Sequence, residues 1–341
     1  MNLNIKRRHI LETALQKGKL LGVRNPFYRD YLKESILPLI TEDFSRGDIT
    51  TEIIVKKDFL AHAEVIAKQK GIVAGLEEAE FFYSKFGIKA YSDVNDRDFV
   101  NSGDVLMKLS GKVKTLLKTE RRIIDMISRM SGIATMTYNL RKIINDKIGI
   151  AATRKSLVPY LDKKAVYIGG GLTHRLALWD GILVKDNHIA AQKNFSSPVS
   201  EFASSLASGK SFFADIEKIS PCVEVEVRSS KEAIKIIDDF KAYKEIAPKS
   251  KLVLIIMFDN MLPSDITNLI GKMRAPPVSE FATSSLARGG EHFASSILFE
   301  ASGNITENNI KEYANTGVDL VSVGMLTHSV KGFDVSQKLK C

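Results

Sequence analysis

The 341-residue sequence has little cysteine, with Cys222 and Cys341 as its two residues of that type. Two cysteines supply neither a disulfide framework nor a zinc site, which excludes the small disulfide-rich and zinc-stapled classes. No apolar run reaches the length of about 18 residues that a membrane span needs, so a transmembrane protein is excluded. The basic start of the chain also lacks an apolar stretch of signal-peptide length. These absences lead us to expect a cytoplasmic protein.

Positive charge is in moderate excess, with 49 Lys and Arg against 40 Asp and Glu and a net charge of +9. The cations are scattered and form no dense basic tract, which argues against a nucleic-acid-binding stripe and favours a cationic pocket for an anionic substrate. Hydrophobic residues make up 44% of the chain and charged residues 26%, which is ordinary globular composition and excludes disordered and collagen-like classes.

Local patterns divide the chain into two parts. A helix is predicted over 31–41, and short alternating runs between glycines over 59–113 predict strands of an antiparallel sheet. A long helix is predicted over 113–147, with Gly132 either a break or a close-packing position. From residue 148, apolar strands alternate with possible helices, which predicts a parallel sheet, open or closed into a barrel. The predicted strands are 148–152, 181–184, 223–227, 252–258, 297–299 and 318–323.

An internal repeat occurs in the second part. Residues 198–214 and 277–294 both begin with PVSEFA and continue with similar Ser-rich sequence. The repeat does not follow the strand–helix period, so it does not indicate a solenoid. We interpret both copies as related insertions in surface loops; two lid segments over a pocket are the alternative.

Cations lie at or near the ends of several predicted strands. In βα barrels the carboxyl ends of the strands carry the active site, so these residues are candidates for binding. Arginine binds carboxylates through two parallel hydrogen bonds, whereas lysine acts as a point charge towards phosphate. The cationic candidates are Arg154, Lys155, Arg175 and Lys185.

Carboxylates interrupt an otherwise apolar predicted strand. Glu224 and Glu226 are two residues apart, which places them on one face of the strand. A carboxylate in such a strand is costly unless it pairs with a cation or a metal. Glu226 and Asp259, which ends the next strand, could face a centre that develops positive charge. An ion pair of Glu226 with Lys155 or Lys185 is a compatible alternative.

Glycine-containing loops follow the last two predicted strands, at Ser302-Gly303-Asn304 and at Gly324. Backbone N–H groups at these positions bind phosphate in βα barrels. The histidines His174, His188 and His328 have no paired metal-ligand spacing, and each taken alone is interpreted as packed or hydrogen-bonded. The sequence has no Ser/His/Asp triad, no nucleophilic cysteine motif and no GxGxxG.

Taken together and in order, several motifs resemble those of the quinolinate phosphoribosyltransferase family. The motifs are GDITTE (47–52), AKQKGIVAG (67–75), TERR (119–122), TRK (153–155), GGGLTHRLAL (169–178), ILVKDNH (182–188), VEVEV (223–227), DNM (259–261) and EASGNITENNIKEYANTGVDLVSVGMLTHS (300–329). The resemblance implies an α/β fold, with an N-terminal α/β sandwich domain followed by an open seven-stranded α/β barrel. The implied domains are an N-terminal extension (1–26), a sandwich domain (27–130) on which 325–341 packs, and a barrel (131–324) with insertions near 194–218 and 274–295.

The resemblance also implies a reaction and site residues. Phosphoribosyl pyrophosphate and quinolinate would give nicotinate mononucleotide, pyrophosphate and CO₂, a step of NAD biosynthesis that uses Mg²⁺ and no organic cofactor. Lys155, Lys185, Glu226 and Asp259 would be the catalytic residues, with Mg²⁺ entering on the substrate and Glu226 and Asp259 as its candidate protein contacts. The implied substrate-binding residues are Arg121, Thr153, Arg154, His174 and Arg175, with Ser302, Gly303, Asn304, Ser322, Val323, Gly324 and Met325 around the 5′-phosphate.

The implied assembly is a homodimer in which Arg121 enters the partner's site, with no nucleic-acid or membrane partner. Two departures from the family pattern stand out. The loop after Lys155 reads Ser156-Leu-Val-Pro-Tyr where the family has Thr-Thr-Pro-Gly, and Asn304 replaces a glycine, a position where asparagine most easily adopts a left-handed turn. The alternatives are a related pyridine phosphoribosyltransferase without decarboxylation and an inactive anion-binding paralogue.

Overall fold

The computed structural model describes residues 3–193, 212–274 and 296–340, which form two compact units. One unit comprises 1–16, 143–151 and 174–324, and the other comprises 17–142, 152–173 and 325–341. The repeat copy at 277–294 and nearly all of the copy at 198–214 lie outside the described residues, so the interpretation of both as surface insertions stays a prediction.

The described residues form helices and twelve strands in the following order along the chain. The helices are α1 (Leu3–Leu15), α2 (Pro26–Tyr31), α3 (Leu37–Glu42), α4 (Ile49–Ile54), α5 (Leu76–Lys85), α6 (Val113–Ile143), α7 (Pro159–Ile168), α8 (Asp186–Lys193), α9 (Phe212–Glu217), α10 (Ser230–Ile246), α11 (Pro263–Arg274), α12 (Ile310–Ala314) and α13 (Met325–His328). The strands are β1 (Leu60–Ala67), β2 (Gly71–Ile72), β3 (Lys89–Tyr91), β4 (Phe99–Val100), β5 (Val105–Lys112), β6 (Gly149–Ala151), β7 (Ile182–Val184), β8 (Cys222–Val227), β9 (Val253–Asp259), β10 (Ile297–Ser302), β11 (Leu320–Ser322) and β12 (Val335–Lys340). A 3₁₀ turn (Gly18–Leu20) and a π-helical segment (Leu32–Ile36) are also present.

The predicted antiparallel sheet is present in the second unit. Its four strands have the order β12-β1-β5-β3, and β1 pairs with both neighbours in antiparallel register. Alternate β1 residues Ala61, Ala63 and Val65 are buried, because period-two alternation turns one face of a strand towards the core. The C-terminal strand β12 therefore completes a sheet that begins near residue 60.

The long predicted helix is also present, as the 31-residue α6. Gly132 does not break it: a Cβ at Gly132 would lie 2.2 Å from the carbonyl oxygen of Lys331, so this glycine is a close-packing position. The helix ends four residues earlier than predicted, since Asn145 and Asp146 adopt left-handed backbone with φ of 51° and 53°.

The first unit contains the predicted parallel sheet. Its strand order is β6-β11-β10-β9-β8-β7, and every neighbouring pair is parallel. Each of the six strands predicted from residue 148 onward is found, which is one fewer than the seven that the resemblance implies. The two edge strands, β6 and β7, are consecutive in sequence, as expected for an open α/β barrel. The central strand β9 is almost wholly apolar and buried, which is typical of a parallel sheet covered on both faces.

The N-terminal helix α1 belongs to this unit. Arg7, Leu11 and Leu15 share one helix face at four-residue spacing and are 5%, 3% and 4% exposed. The Arg7 guanidinium binds both carboxylate oxygens of Asp319, which precedes β11. Part of the predicted extension is thus packed against the parallel sheet rather than lying loose on the surface. None of the described helices combines the length and apolar composition needed to cross a membrane.

Candidate active site

The carboxyl ends of the central parallel strands bring the predicted carboxylates to one sheet edge. Glu226 in β8 is paired in register with Met257, two residues before Asp259 ends β9. Asp259 in turn is level with Ser302, the last residue of β10. Because parallel strands point the same way, the residues that follow them share one edge of the sheet. Lys185 joins this group by following β7.

Glu226 is held by an ion pair with one of the predicted cations. Lys185 Nζ lies 2.8 Å from Glu226 Oε2, and the Glu226 side chain is 7% exposed while that of Lys185 is 42% exposed. The ion pair between Lys185 and Glu226, one of the two predicted alternatives, is therefore formed. It compensates a buried carboxylate and leaves the lysine partly open to solvent.

A further arginine, absent from the sequence-based candidates, lies among these carboxylates. Arg228 Nη2 lies 2.7 Å from Asp186 Oδ2 and 3.9 Å from Glu226 Oε1, and its Nε lies 3.5 Å from Asp259 Oδ2. The Asp186 carboxylate, followed by Asp259 and Glu226, raises the pKa of Arg228 above its ordinary value. Its position directly after the VEVEV strand was the signal that could have revealed it.

The carboxylates around Arg228 also fit the requirements of Mg²⁺. This ion prefers oxygen ligands and is usually bound through one or two carboxylates together with substrate phosphates. Asp186 and Asp259 both contact the Arg228 guanidinium, which compensates their charge. Glu226 and Asp259 stay the predicted protein contacts for a magnesium ion that enters on an anionic substrate.

The loop after β10 makes a tight, glycine-dependent turn. Gly303 has a φ of 95°, and a Cβ there would lie 2.3 Å from Asn260 Oδ1. Asn304 has a φ of 50°, which confirms that asparagine takes a left-handed conformation at this position. Its Nδ2 donates to Asn260 Oδ1 at 3.0 Å. The loops after β9 and β10 are thus tied together at the sheet edge.

The structure surrounds His174 with carboxylates. Its Nε2 lies 3.0 Å from Glu224 Oε2 and 3.3 Å from Glu300 Oε2, and the histidine is 7% exposed. Burial lowers the pKa of His174, but Glu224 and Glu300 outweigh it and raise the value to about 10. His174 Nδ1 accepts a hydrogen bond from the backbone N–H of Arg175 at 2.9 Å. The interpretation of His174 as a hydrogen-bonded histidine is confirmed.

Four of the early candidates, Arg121, Thr153, Arg154 and Lys155, belong to the second unit. Arg121 on α6 is 70% exposed and lies 3.7 Å from Asp125, and Arg154 and Lys155 are exposed in the loop after β6. The backbone N–H of Lys155 donates to Thr153 Oγ1 at 3.2 Å. These exposed cations are available to bind anions.

The unusual loop after Lys155 is anchored by its serine. Ser156 Oγ donates to Asp162 Oδ2 at 2.5 Å and accepts from the backbone N–H of Val158 at 3.0 Å. Asp162 is fully buried and also binds Arg129 through two hydrogen bonds of 2.8 and 2.7 Å. Ser156 therefore fixes this loop although its sequence departs from the family pattern.

Two family models match nearly all of the chain after residue 47. The model described as quinolinate phosphoribosyl transferase, C-terminal domain, matches residues 133–338, and the N-terminal domain model of the same family matches residues 48–131. The chain belongs to the quinolinate phosphoribosyltransferase family. The resemblance found from the motifs is thereby confirmed, together with the fold class.

Individual members of the quinolinate phosphoribosyltransferase family resemble the chain over most of its length. A probable nicotinate-nucleotide pyrophosphorylase [carboxylating] of Methanocaldococcus jannaschii is 34% identical over 313 residues, covering 90% of this chain and 97% of that protein. The corresponding protein of Methanothermobacter thermautotrophicus is 31% identical and covers 91% and 99%. The structure of the nicotinate-nucleotide pyrophosphorylase from Francisella tularensis matches with a TM-score of 0.71 at 28% identity, covering 91% of this chain and 96% of that one.

Proposed function

We propose that this chain transfers the phosphoribosyl group of phosphoribosyl pyrophosphate to quinolinate with loss of CO₂, giving nicotinate mononucleotide and pyrophosphate in NAD biosynthesis. The observation that carries the proposal is the sheet edge at which Lys185, Glu226 and Asp259 meet. Similarity over about nine tenths of the chain to proteins named as carboxylating pyrophosphorylases supports it.

The charges of these residues suit the two substrates. Quinolinate is a dicarboxylate, for which arginines are the preferred partners, and we assign Arg154, Arg175 and Arg121 to it. His174, implied by the resemblance as a further ligand, has both ring nitrogens engaged by Glu224, Glu300 and the Arg175 N–H, so we assign it to the support of Arg175. Departure of pyrophosphate spreads positive charge over the ribose ring. Glu226 and Asp259 stabilise that charge because fixed carboxylates act on charge that develops in the transition state.

Lysines and phosphate-binding loops serve the other substrate. Lys155 and Lys185 contact the phosphoribosyl substrate and the edge of the pyridine ring. Backbone groups at Ser302–Asn304 and at Ser322–Met325 hold the 5′-phosphate. A bound Mg²⁺ would neutralise charge on pyrophosphate, with Glu226 and Asp259 as its candidate protein contacts, and no organic cofactor is needed. Decarboxylation follows next to the ring nitrogen once that nitrogen is cationic.

The active form in this proposal is a cytoplasmic homodimer. Arg121 lies exposed on α6, and in the dimer it enters the site of the partner subunit. Two-fold symmetry then delivers each arginine reciprocally, so a dimer has two composite sites. Neither nucleic acid nor a membrane takes part.

Incubation with quinolinate, phosphoribosyl pyrophosphate and Mg²⁺ tests the proposal. Nicotinate mononucleotide and CO₂ are expected in equal amounts, and Glu226→Gln serves as the matched inactive control. Product formed from nicotinate without CO₂ would instead establish the non-decarboxylating alternative. Absence of product from either pyridine, with the purified protein folded, would indicate an inactive anion-binding paralogue.

A further inference from the structure

Two buried carboxylates converge on one imidazole inside the parallel-sheet unit. Glu224 in β8 and Glu300 in β10 lie on either side of β9, and both approach His174 Nε2, at 3.0 and 3.3 Å. Glu224 is 4% exposed and Glu300 is 0% exposed. Among the described residues, neither Glu224 Oε1 nor Glu300 Oε1 has a hydrogen-bond partner. Two buried acids with unpaired oxygens need a positive charge or a proton.

A divalent cation is one way to satisfy such a cluster, since the ligand atoms lie within 4.8 Å of one another. The other nitrogen of His174 argues against it. The backbone N–H of Arg175 can only donate, so Nδ1, which accepts from it at 2.9 Å, carries a lone pair. The imidazole hydrogen therefore resides on Nε2, and a protonated Nε2 cannot bind a metal.

Protons satisfy the cluster instead. Burial raises the pKa of Glu300, and the Glu224 carboxylate raises it further. His174 Nε2–H donates to the Glu224 and Glu300 carboxylates, which lie 3.0 and 3.3 Å away. The raised pKa of Glu300 favours a proton on that carboxyl group at the buried end of the cluster.

His174 also has an unusual backbone. Its φ is 55°, in the left-handed region that is unfavourable for a non-glycine residue. The anchored ring and the bond from the Arg175 N–H hold this conformation. Two residues later the backbone is fixed again, because the N–H of Leu176 donates to Asp180 Oδ2 at 2.8 Å. These two hydrogen bonds lie on either side of Arg175 and together set the direction of its side chain.

We propose that Glu224 and Glu300 are positioning residues that lock the His174 ring, fix its left-handed backbone and so aim the Arg175 side chain at a carboxylate of the substrate. The inference rests on the proposed function, in which Arg175 binds quinolinate. Arg175, His174 and Glu224 line one small pocket beside Leu15 of α1, so the lock and the arginine adjoin each other.

The tautomer of His174 tests the lock without any need for activity. In ¹⁵N-histidine-labelled protein, assigned with a His174→Asn variant, we expect Nε2 to keep its hydrogen from pH 6 to 8. Addition of Mn²⁺ or Zn²⁺ should leave this signal unchanged. A ring whose only hydrogen is on Nδ1, or a signal lost specifically on metal addition, would overturn the proposal.

Steady-state kinetics test whether the lock orients Arg175 towards quinolinate. Glu300→Asp withdraws the carboxyl group and should raise the KM for quinolinate about tenfold, while kcat and the KM for phosphoribosyl pyrophosphate change less than about threefold. Glu300→Gln imitates the protonated acid and should remain within about threefold of wild type. Glu312→Asp, at an exposed residue of α12 in the same unit, is the matched control.

An unchanged KM for quinolinate in folded Glu300→Asp would overturn the positioning role. Equal losses in kcat and in both KM values, with a lowered Tm, would also overturn it, because they would show a structural role alone. A wild-type protein that forms no nicotinate mononucleotide would refute the proposed function. The tautomer measurement would then still decide whether the lock exists.

Discussion

Glu224 and Glu226 lie two residues apart on one strand and meet opposite conditions. Glu226, near the end of β8, pairs with a lysine that is 42% exposed, and an arginine and solvent are within reach. Glu224, one step deeper, shares a buried imidazole with Glu300. The same residue type on the same strand face thus meets partly exposed cations at the end of the strand and a buried imidazole inside. Depth along the strand decides whether a carboxylate is available for chemistry or is confined to holding structure.

The largest expected effect concerns Glu226 and Asp259, at the carboxyl ends of the parallel strands. Glu226→Gln and Asp259→Asn should lower kcat by about 100-fold or more, because their charge acts mainly on the cationic transition state. The Kd for quinolinate and the Tm should change little. Steady-state kinetics with calorimetry measure both, and unchanged turnover in the two variants would refute the assignment.

Subunit mixing tests whether the site that contains Glu226 also receives Arg121 from the partner subunit. If Arg121 enters the partner's site, Arg121→Ala and Glu226→Gln homodimers should each be nearly inactive. After random exchange, half of the dimers are mixed and each has one intact site, so about one quarter of wild-type activity should return. Failure to recover activity, with exchange shown by native mass spectrometry, would place Arg121 in its own subunit or outside the reaction.

Removal of a buried partner should affect stability instead. Glu224→Ala removes one of the two buried partners of His174 and leaves a cavity beside Glu300. The variant should be destabilised by about 3 kcal/mol. Denaturant unfolding gives the value, with the exposed Glu307→Ala as control. Stability equal to that of wild type would show that depth does not separate the two glutamates.

Arg228 should show a smaller effect that is specific to one substrate. Arg228→Ala removes a cation beside Asp259 and Asp186, so the anionic phosphoribosyl pyrophosphate is attracted less, and its KM should rise about tenfold. Arg228→Lys should restore part of the loss. Arg122→Ala, at an exposed ion pair with Asp43 in the other unit, is the control. An equal rise in the KM for both substrates would contradict this role.

The smallest effect concerns Asp96, a half-buried acid in the second unit. Burial, reinforced by Glu78, raises the pKa of Asp96 to about 7. The folded state therefore favours protonated Asp96, and stability is lost as pH rises from about 4 through 7. Asp96→Asn should raise the Tm by about 3 °C at pH 8 and by little at pH 4. Scanning calorimetry at the two pH values measures this, and an equal change at both would exclude the titration.

Local patterns predicted much of the fold and part of the site. Strand β8 was predictable because alternating glutamate and valine have the period of a strand, and Lys185 was predictable because it follows one. The joining of His174 to Glu300, which is 126 residues away, depends on which strands become neighbours, and no local pattern records that. The burial of Arg7 against Asp319 escaped the sequence for the same reason, since 312 residues separate them.

Strand β12 has a consequence for synthesis of the chain. It pairs with β1 from His62↔Lys340 to Ala67↔Val335, so the sheet of the second unit acquires this strand only after residues 335–340 have been synthesised. Until then β1 is an edge strand with unpaired backbone groups, open to pairing with another chain. The parallel-sheet unit, which ends at residue 324, is complete in sequence before that edge is covered. A chain arrested between the two points carries a complete barrel sequence joined to an unfinished sheet.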